Sequence, residues 1–200
     1  MIVYEGPMKR LTSILTVAAL ALAFALPMKS EAYAQAPATE PANAVSSAEA
    51  AKAQAFIRTK HNKVRAVLRK PDTPKRAQEL TELLGEFLDY ERLAELSLAE
   101  EWDKRSKKEL DHFVSLLRQL VERQYQRNME STLQYKVKWV GTEAIDDGVK
   151  VKSSAQSVTK KRQPPITIDY SMSPSGAEWK VFDIFTDEVS HVRNYKRQFR

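Results

Sequence analysis

The chain has 200 residues, a formal net charge of +6 at pH 7 and no cysteine. That length suits one domain with a sizeable core, and the lack of cysteine excludes a disulfide, a thiol nucleophile, a thiolate metal site and a lipoprotein anchor. The basic balance suits anionic headgroups or acidic protein surfaces, and an ordinary solvated surface with a mild bias explains it equally well.

The N-terminus has the order of a secretory signal peptide. Lys9 and Arg10 precede an apolar run over 11–26, and small residues then stand at alternate positions up to Ala34. The apolar run is shorter than the ~20 residues that a membrane-spanning helix needs. We therefore predict that residues 1–34 are a signal peptide, cleaved after Ala34, and that the protein is exported.

The next segment, residues 35–47, is rich in alanine and proline and has no apolar period, which predicts a disordered mature N-terminus. A single domain is predicted over 48–200. Its first half has the apolar spacing of helices, each of which starts at a capping signal. These signals are Ser46 with Glu49, Thr73 before Pro74, Asp89, and Ser106 with Glu109.

The predicted helices carry buried stripes of apolar side chains. The first stripe holds Ala53, Phe56, Ile57, Val64, Val67 and Leu68, and the second holds Leu80, Leu83, Leu84 and Phe87. The stripe of the longest helix consists of Leu110, Phe113, Leu117, Leu120, Val121 and Tyr125.

Past Met129 the apolar period changes from helical to alternating, which predicts strands. The strands are separated by the turn signal Asp147-Gly148, by a basic loop over 159–165, and by residues 174–176. Helices followed by an antiparallel meander predict an α+β fold in which the helices pack on one sheet.

The last predicted strand has apolar residues on both faces, which is typical of a sheet buried on both sides. Strict alternation points Trp179, Val181 and Phe185 one way, and Phe182 and Ile184 the other.

A short turn and a closing helix follow this strand. Asp187 is placed to cap the helix. Val189, Val192, Tyr195 and Phe199 lie along its apolar side.

Three stretches, in the same order along the chain, resemble the MlaC (toluene-tolerance) family of periplasmic phospholipid carriers. They are residues 87–94 followed by Leu98 and Trp102, residues 164–170, and residues 179–199. The resemblance covers roughly residues 56–199. It implies a curved antiparallel sheet, broadly like the nuclear-transport-factor-2 shape, covered by a helical layer and enclosing an apolar cavity.

The resemblance also implies a function. Such a protein is a soluble periplasmic carrier, part of an ABC transport system that maintains outer-membrane lipid asymmetry. It shuttles phospholipid between an inner-membrane transporter complex and an outer-membrane lipoprotein complex, as a monomer without a cofactor. Because acyl chains must leave water, the carrier needs an apolar lining. We predict that lining to be Leu84, Phe87, Phe113, Leu117, Leu120, Val137, Trp139, Val151, Ile166, Ile168, Val181, Val189, Val192 and Tyr195.

The sequence is also compatible with other functions. The apolar residues could simply fill the core of an exported interaction or scaffold module, which is what composition alone favours. The lipid could also be a hopanoid-like terpenoid. A packed interior would contradict a carrier of either kind, whereas a buried Asp or His at the floor of a cavity would favour an enzyme.

Catalysis and nucleic-acid binding have little support in the sequence. His61, His112 and His191 share no metal-ligand spacing, and the chain has no nucleophile-elbow or glycine-rich phosphate motif. No aromatic residue interleaves with the basic loop, so nucleic acid is not expected as a partner. We therefore predict neither an enzyme nor a metal protein.

The remaining basic residues have two explanations. Those of the loop and of the closing helix could contact phosphate headgroups or an acidic partner, or form a solvated face. They are Lys160, Lys161, Arg162, Arg193, Lys196, Arg197 and Arg200.

Overall fold

The computed structural model describes residues 45–199, without the side chains of residues 127–129. The helices come first, in the order α1 Ser47–Leu68, α2 Pro74–Phe87, α3 Tyr90–Leu98, a 3-10 turn Ala99–Lys104 and α4 Lys107–Thr132. The strands follow as β1 Tyr135–Ile145, β2 Gly148–Ser157, β3 Ile166–Ser175, β4 Glu178–Thr186 and β5 Val189–Ser190, and then α5 His191–Gln198. The strands form one antiparallel sheet in chain order. The predicted α+β fold is confirmed, and the predicted signal peptide lies outside the described residues.

The predicted N-caps are confirmed by local hydrogen bonds. The side chains of Ser46, Thr73, Asp89 and Ser106 each accept a hydrogen bond from the backbone N–H three residues further on. Each bond satisfies a donor that the helix leaves free. Val45 packs against the core, so the folded part reaches a few residues before the predicted boundary, and the rest of the segment 35–47 lies outside the description.

One face of the sheet packs against the helices. Cross-strand pairs such as Val149 with Met172 place their side chains on this core face, where both are fully buried. The opposite face carries Lys136 and Lys138 on β1, which are exposed. The prediction of a sheet buried on both sides is therefore wrong for its first strands.

A bulge in β4 changes which side chains face the core. Met172 pairs with Val181, but Ser171 pairs with Asp183, so Phe182 is an extra residue. After such an extra residue, each side chain of the strand faces the side of the sheet opposite to the one that strict alternation predicts. Ile184 therefore joins the core with Val181, and Phe185 lies on the opposite face, where the ring centroid is 4.3 Å from the Lys150 Nζ. The predicted directions of these two residues were wrong for this reason.

The closing helix starts later than predicted because a hairpin precedes it. Asp187 and Glu188 adopt positive φ angles of 48° and 66° in the turn between β4 and β5, as such tight hairpin turns require. Asp187 therefore caps no helix, and its Oδ1 accepts a hydrogen bond from the Thr167 N–H. Ser190 caps α5 instead, accepting from the Arg193 N–H.

The buried stripe of α4 is narrower than predicted. Leu117 and Val121, one turn apart, are almost fully buried. Leu120 is 43% exposed and Leu116 is 50% exposed, so both lie on the flank of the helix. Within the described part of the chain, no helix combines the length and apolar composition needed to cross a membrane.

Gly148, which opens β2, cannot carry a side chain without strain. Its φ is 153°, and a Cβ built there would lie 2.0 Å from the backbone oxygen of Met172 on the neighbouring strand. We expect Gly148→Ala to lower the free energy of unfolding by about 3 kcal/mol in urea titrations. Gly141→Ala is the control, since its Cβ would meet no atom within 4 Å. Equal effects of the two changes would contradict this explanation.

Candidate functional site

A cavity of about 370 Å³ lies between the helices and the core face of the sheet. This volume falls within the range of roughly 300–1,000 Å³ that is common for small-molecule sites. The lining is mainly apolar and consists of Ile57, Val64, Phe87, Tyr125, Val137, Ala155, Ile166, Ile168, Tyr170 and Ile184. Its polar members are His61, Arg65, Gln124, Ser131, Thr132, Tyr135, Thr186 and His191.

The core face of β2 changes from larger to smaller side chains along the strand. The core face of this strand begins with Val149 and Val151 and continues with Ser153, Ala155 and Ser157. Of these five residues, Ala155 belongs to the cavity lining. Ala155 pairs with Val137 on one side and Ile166 on the other, and all three line the cavity.

The cavity reaches the surface near the end of α4. Gln124, Ser131 and Thr186 belong to its lining and are also exposed to solvent. The predicted basic loop lies between β2, which ends at Ser157 two residues after the lining residue Ala155, and β3, which begins with the lining residue Ile166. The cationic side chains of this loop therefore lie at the same end of the sheet as the opening.

The predicted lining residues fall into three groups. Phe87, Val137, Ile166 and Ile168 line the cavity. Those buried in the packed core are Leu84, Leu117, Val151 and Val181, with Phe113, Trp139, Val192 and Tyr195 partly buried against it. Leu120 and Val189 are exposed by 43% and 49%. Apolar periodicity identifies a buried face, but it does not tell where the packing on that face leaves space.

The cavity is also lined by polar residues that were not predicted to lie there. His61 and Arg65 are one turn apart on α1 and both line the hollow. His191 lines it from the start of α5, with its Nε2 3.4 Å from the Thr186 Oγ1. The one signal that could have predicted the α1 pair is its spacing, which matches that of Ile57 and Val64 on the buried face.

Burial shifts the pKa values of ionisable side chains that line the cavity. It lowers the pKa of His61 to about 4, with a smaller contribution from the Arg65 charge, so the ring is neutral at pH 7. Its ring lies edge-on to Trp139, with centroids 5.8 Å apart. Burial also lowers the pKa of His191, which Asp183 partly opposes, and it raises the pKa of the Tyr170 hydroxyl to about 12.

Asp183 is a buried carboxylate beside the cavity, and its bonds are structural. It accepts hydrogen bonds from the Ser190 hydroxyl at 2.6 Å and from the Val192 N–H at 3.1 Å. These bonds attach the start of α5 to β4. Among residues 45–199, the hydrogen bonds of the cavity histidines include none to a carboxylate.

The lowered pKa of His61 makes stability depend on pH. In the unfolded chain a histidine has an unperturbed pKa of ~6.5. Between that pH and about 4, the unfolded state therefore binds more protons than the folded state. Stability therefore falls as pH decreases through this window. Because the ring is partly exposed, we expect a loss of about 1 kcal/mol between pH 7 and pH 5.

Urea unfolding of the wild-type protein and of His61→Gln at both pH values measures this effect. The variant should lose less stability than the wild type on acidification. His112→Gln is the control, since His112 is exposed on α4 and should leave the wild-type pH dependence unchanged. Identical losses in the wild type and in His61→Gln would contradict the assignment.

Comparison with known proteins supports the fold. A family model described as MlaC protein matches residues 58–200. A solved phospholipid-binding protein from Ralstonia solanacearum, in complex with a phospholipid, is similar with a TM-score of 0.62 and 22% identity. The similarity covers 74% of this chain and 85% of that one. No curated protein matches the sequence.

Proposed function

The chain belongs to the MlaC family, and from this membership together with the apolar cavity we propose that it binds a phospholipid by its acyl chains and carries it between membranes. The cavity of about 370 Å³ is the observation that carries this proposal. Burial of about ten methylene groups would contribute about 8 kcal/mol, which corresponds to micromolar affinity before ordering costs.

Two observations favour a carrier over a module with a filled core. The interior contains a hollow beside the packed part of the core, and that hollow reaches the surface. The Ralstonia solanacearum protein, which shares the fold, is described in complex with a phospholipid. A protein that only presented its surface to partners would have no use for such a hollow.

We propose a binding and carrier role rather than catalysis. The buried groups that would favour an enzyme are present, since His61 and His191 line the cavity. However, the adjacent carboxylate of Asp183 is engaged with the start of α5. Among the described residues, the His191 ring has the Thr186 hydroxyl as a hydrogen-bond partner, and neither ring is hydrogen-bonded to a carboxylate that would orient it as a general acid or base.

The place of action belongs to the same proposal. The protein would act in the periplasm after its signal peptide has been cleaved following Ala34. It would pass lipid between an inner-membrane ABC transporter complex and an outer-membrane lipoprotein complex. The order of residues 1–34 and the family membership support this. Mass analysis of the protein recovered from the periplasmic fraction should find Gln35 at its N-terminus.

A transfer experiment tests the carrier function. Donor vesicles containing a fluorescent phospholipid are incubated with purified protein, which is then isolated and mixed with acceptor vesicles. The protein should extract the lipid and deliver it. Delivery of a terpenoid lipid but not of a phospholipid would change the ligand class, and extraction of neither lipid would favour the scaffold alternative.

A further inference from the structure

Arg65 presents a guanidinium group to a cavity whose lining is otherwise mostly apolar. Its Nη1 donates hydrogen bonds to the backbone oxygens of Thr132, at 2.8 Å, and Tyr135, at 3.1 Å. These bonds anchor one corner of the group at the junction between α4 and β1. A guanidinium carries five N–H donors in a rigid fork, so Nε and Nη2 keep donors for a further acceptor.

The charge of Arg65 has no carboxylate partner among the described residues. The ion pairs of residues 45–199 include Arg76 and Arg92 but not Arg65. Burial and the nearby Arg69 charge both lower the pKa of Arg65, and the group remains a cation. A partly buried cation without a counterion is costly, and an anionic ligand group would relieve that cost.

The surroundings of Arg65 fit an anion. Gln124 and Ser131 are exposed lining residues in the C-terminal part of α4. The same part of the helix contains Thr132, whose carbonyl accepts a hydrogen bond from Arg65. The basic loop with Lys160 and Lys161 lies at this end of the sheet too. The acidic Asp187 of the β4–β5 turn is also there, but its carboxylate accepts the Thr167 N–H.

We propose that Arg65 binds the phosphoryl group of the lipid headgroup, with the acyl chains extending into the apolar part of the cavity. The inference rests on the proposed function and adds a ligand contact to it. Arginine suits this role because its planar fork donates two parallel hydrogen bonds to a phosphate. Arg65 would thereby distinguish a phospholipid from an uncharged lipid with the same chains.

The test compares phosphatidate with diacylglycerol of identical chains, so that only the phosphoryl group differs. The wild-type protein should bind phosphatidate at least about tenfold more tightly. Arg65→Gln should remove this preference and leave diacylglycerol binding within about twofold. Arg65→Lys, which keeps the cation but not the fork, should retain part of the preference. The control is Arg69→Gln, an exposed residue just past the end of α1, which should behave like the wild type.

Two results would overturn the inference. One is equal binding of both lipids by the wild type. The other is an equal loss of both lipids in Arg65→Gln, because this would mean that Arg65 only holds the junction between α4 and β1. Binding of neither lipid by the wild type would contradict the proposed function, and the role of Arg65 with it. The two results above would contradict only the role of Arg65, so the two kinds of failure are distinguishable.

Discussion

Ala155→Trp is expected to abolish phospholipid binding while the domain stays folded. Ala155 is 2% exposed and faces the cavity between Val137 and Ile166. An indole at this position would occupy space that the acyl chains need, so bound lipid should fall by more than about tenfold. Because the ring would enter a hollow, unfolding in urea should show unchanged or slightly higher stability, by about 1 kcal/mol.

The control for this variant is its neighbour on the same strand. Ser154→Trp places the same indole on the opposite face of β2, because successive side chains alternate. It should leave lipid binding unchanged. In a filled core, Ala155→Trp would instead lower stability by about 1–3 kcal/mol through overpacking. That result, or normal lipid binding by this variant, would contradict the cavity.

Asp183→Ala is expected to release α5 from the sheet. The carboxylate holds the Ser190 hydroxyl and the Val192 N–H, and no residue of α5 is itself buried. Hydrogen bonds to a charged group contribute about 1.5–3 kcal/mol each when one partner is removed. We therefore expect the stability to fall by about 3 kcal/mol. Because His191 lines the cavity from α5, bound lipid should also be lost to acceptor vesicles at least about tenfold faster.

Hydrogen exchange of the α5 amides and the rate of lipid loss measure this effect together. Asp169→Ala is the control, because its carboxylate accepts one longer hydrogen bond, 3.3 Å, from the Ser153 N–H. Faster exchange should be confined to Asp183→Ala. Faster exchange of α5 without faster lipid loss would leave the helix a structural element and remove it from lipid release.

Local features of this fold could be predicted from the sequence because local interactions determine them. The caps at Thr73 and Ser106 depend on a residue and the backbone three positions later. The β1–β2 turn was predicted from Asp147-Gly148, and Gly148 does hold a backbone angle that other residues avoid. These signals need no knowledge of the rest of the chain.

Features that depend on how distant elements fit together could not be predicted. The bulge at Phe182 exists only relative to the register of β3, so strict alternation assigned Ile184 and Phe185 to the wrong faces. The cap at Asp187 was wrong because a two-residue hairpin turn takes up the residues before α5.

The cavity, too, could be predicted only in part. Four predicted residues line it, together with the small Ala155 on the core face of β2. The alternation of β2 was visible in the sequence, yet a small residue on a strand indicates empty space only when the covering helices are known. Arg65 was missed because a cation on an apolar stripe looks like a residue of the helix flank.

Native mass spectrometry of the protein isolated from the periplasm shows whether a lipid occupies the cavity. It measures the mass of each chain with its bound ligand, and lipid extraction then identifies that ligand. We expect one phospholipid for each chain in the wild type and in Ser154→Trp, and none in Ala155→Trp. Folded wild-type protein without lipid, or the same lipid content in both tryptophan variants, would contradict lipid binding in the cavity.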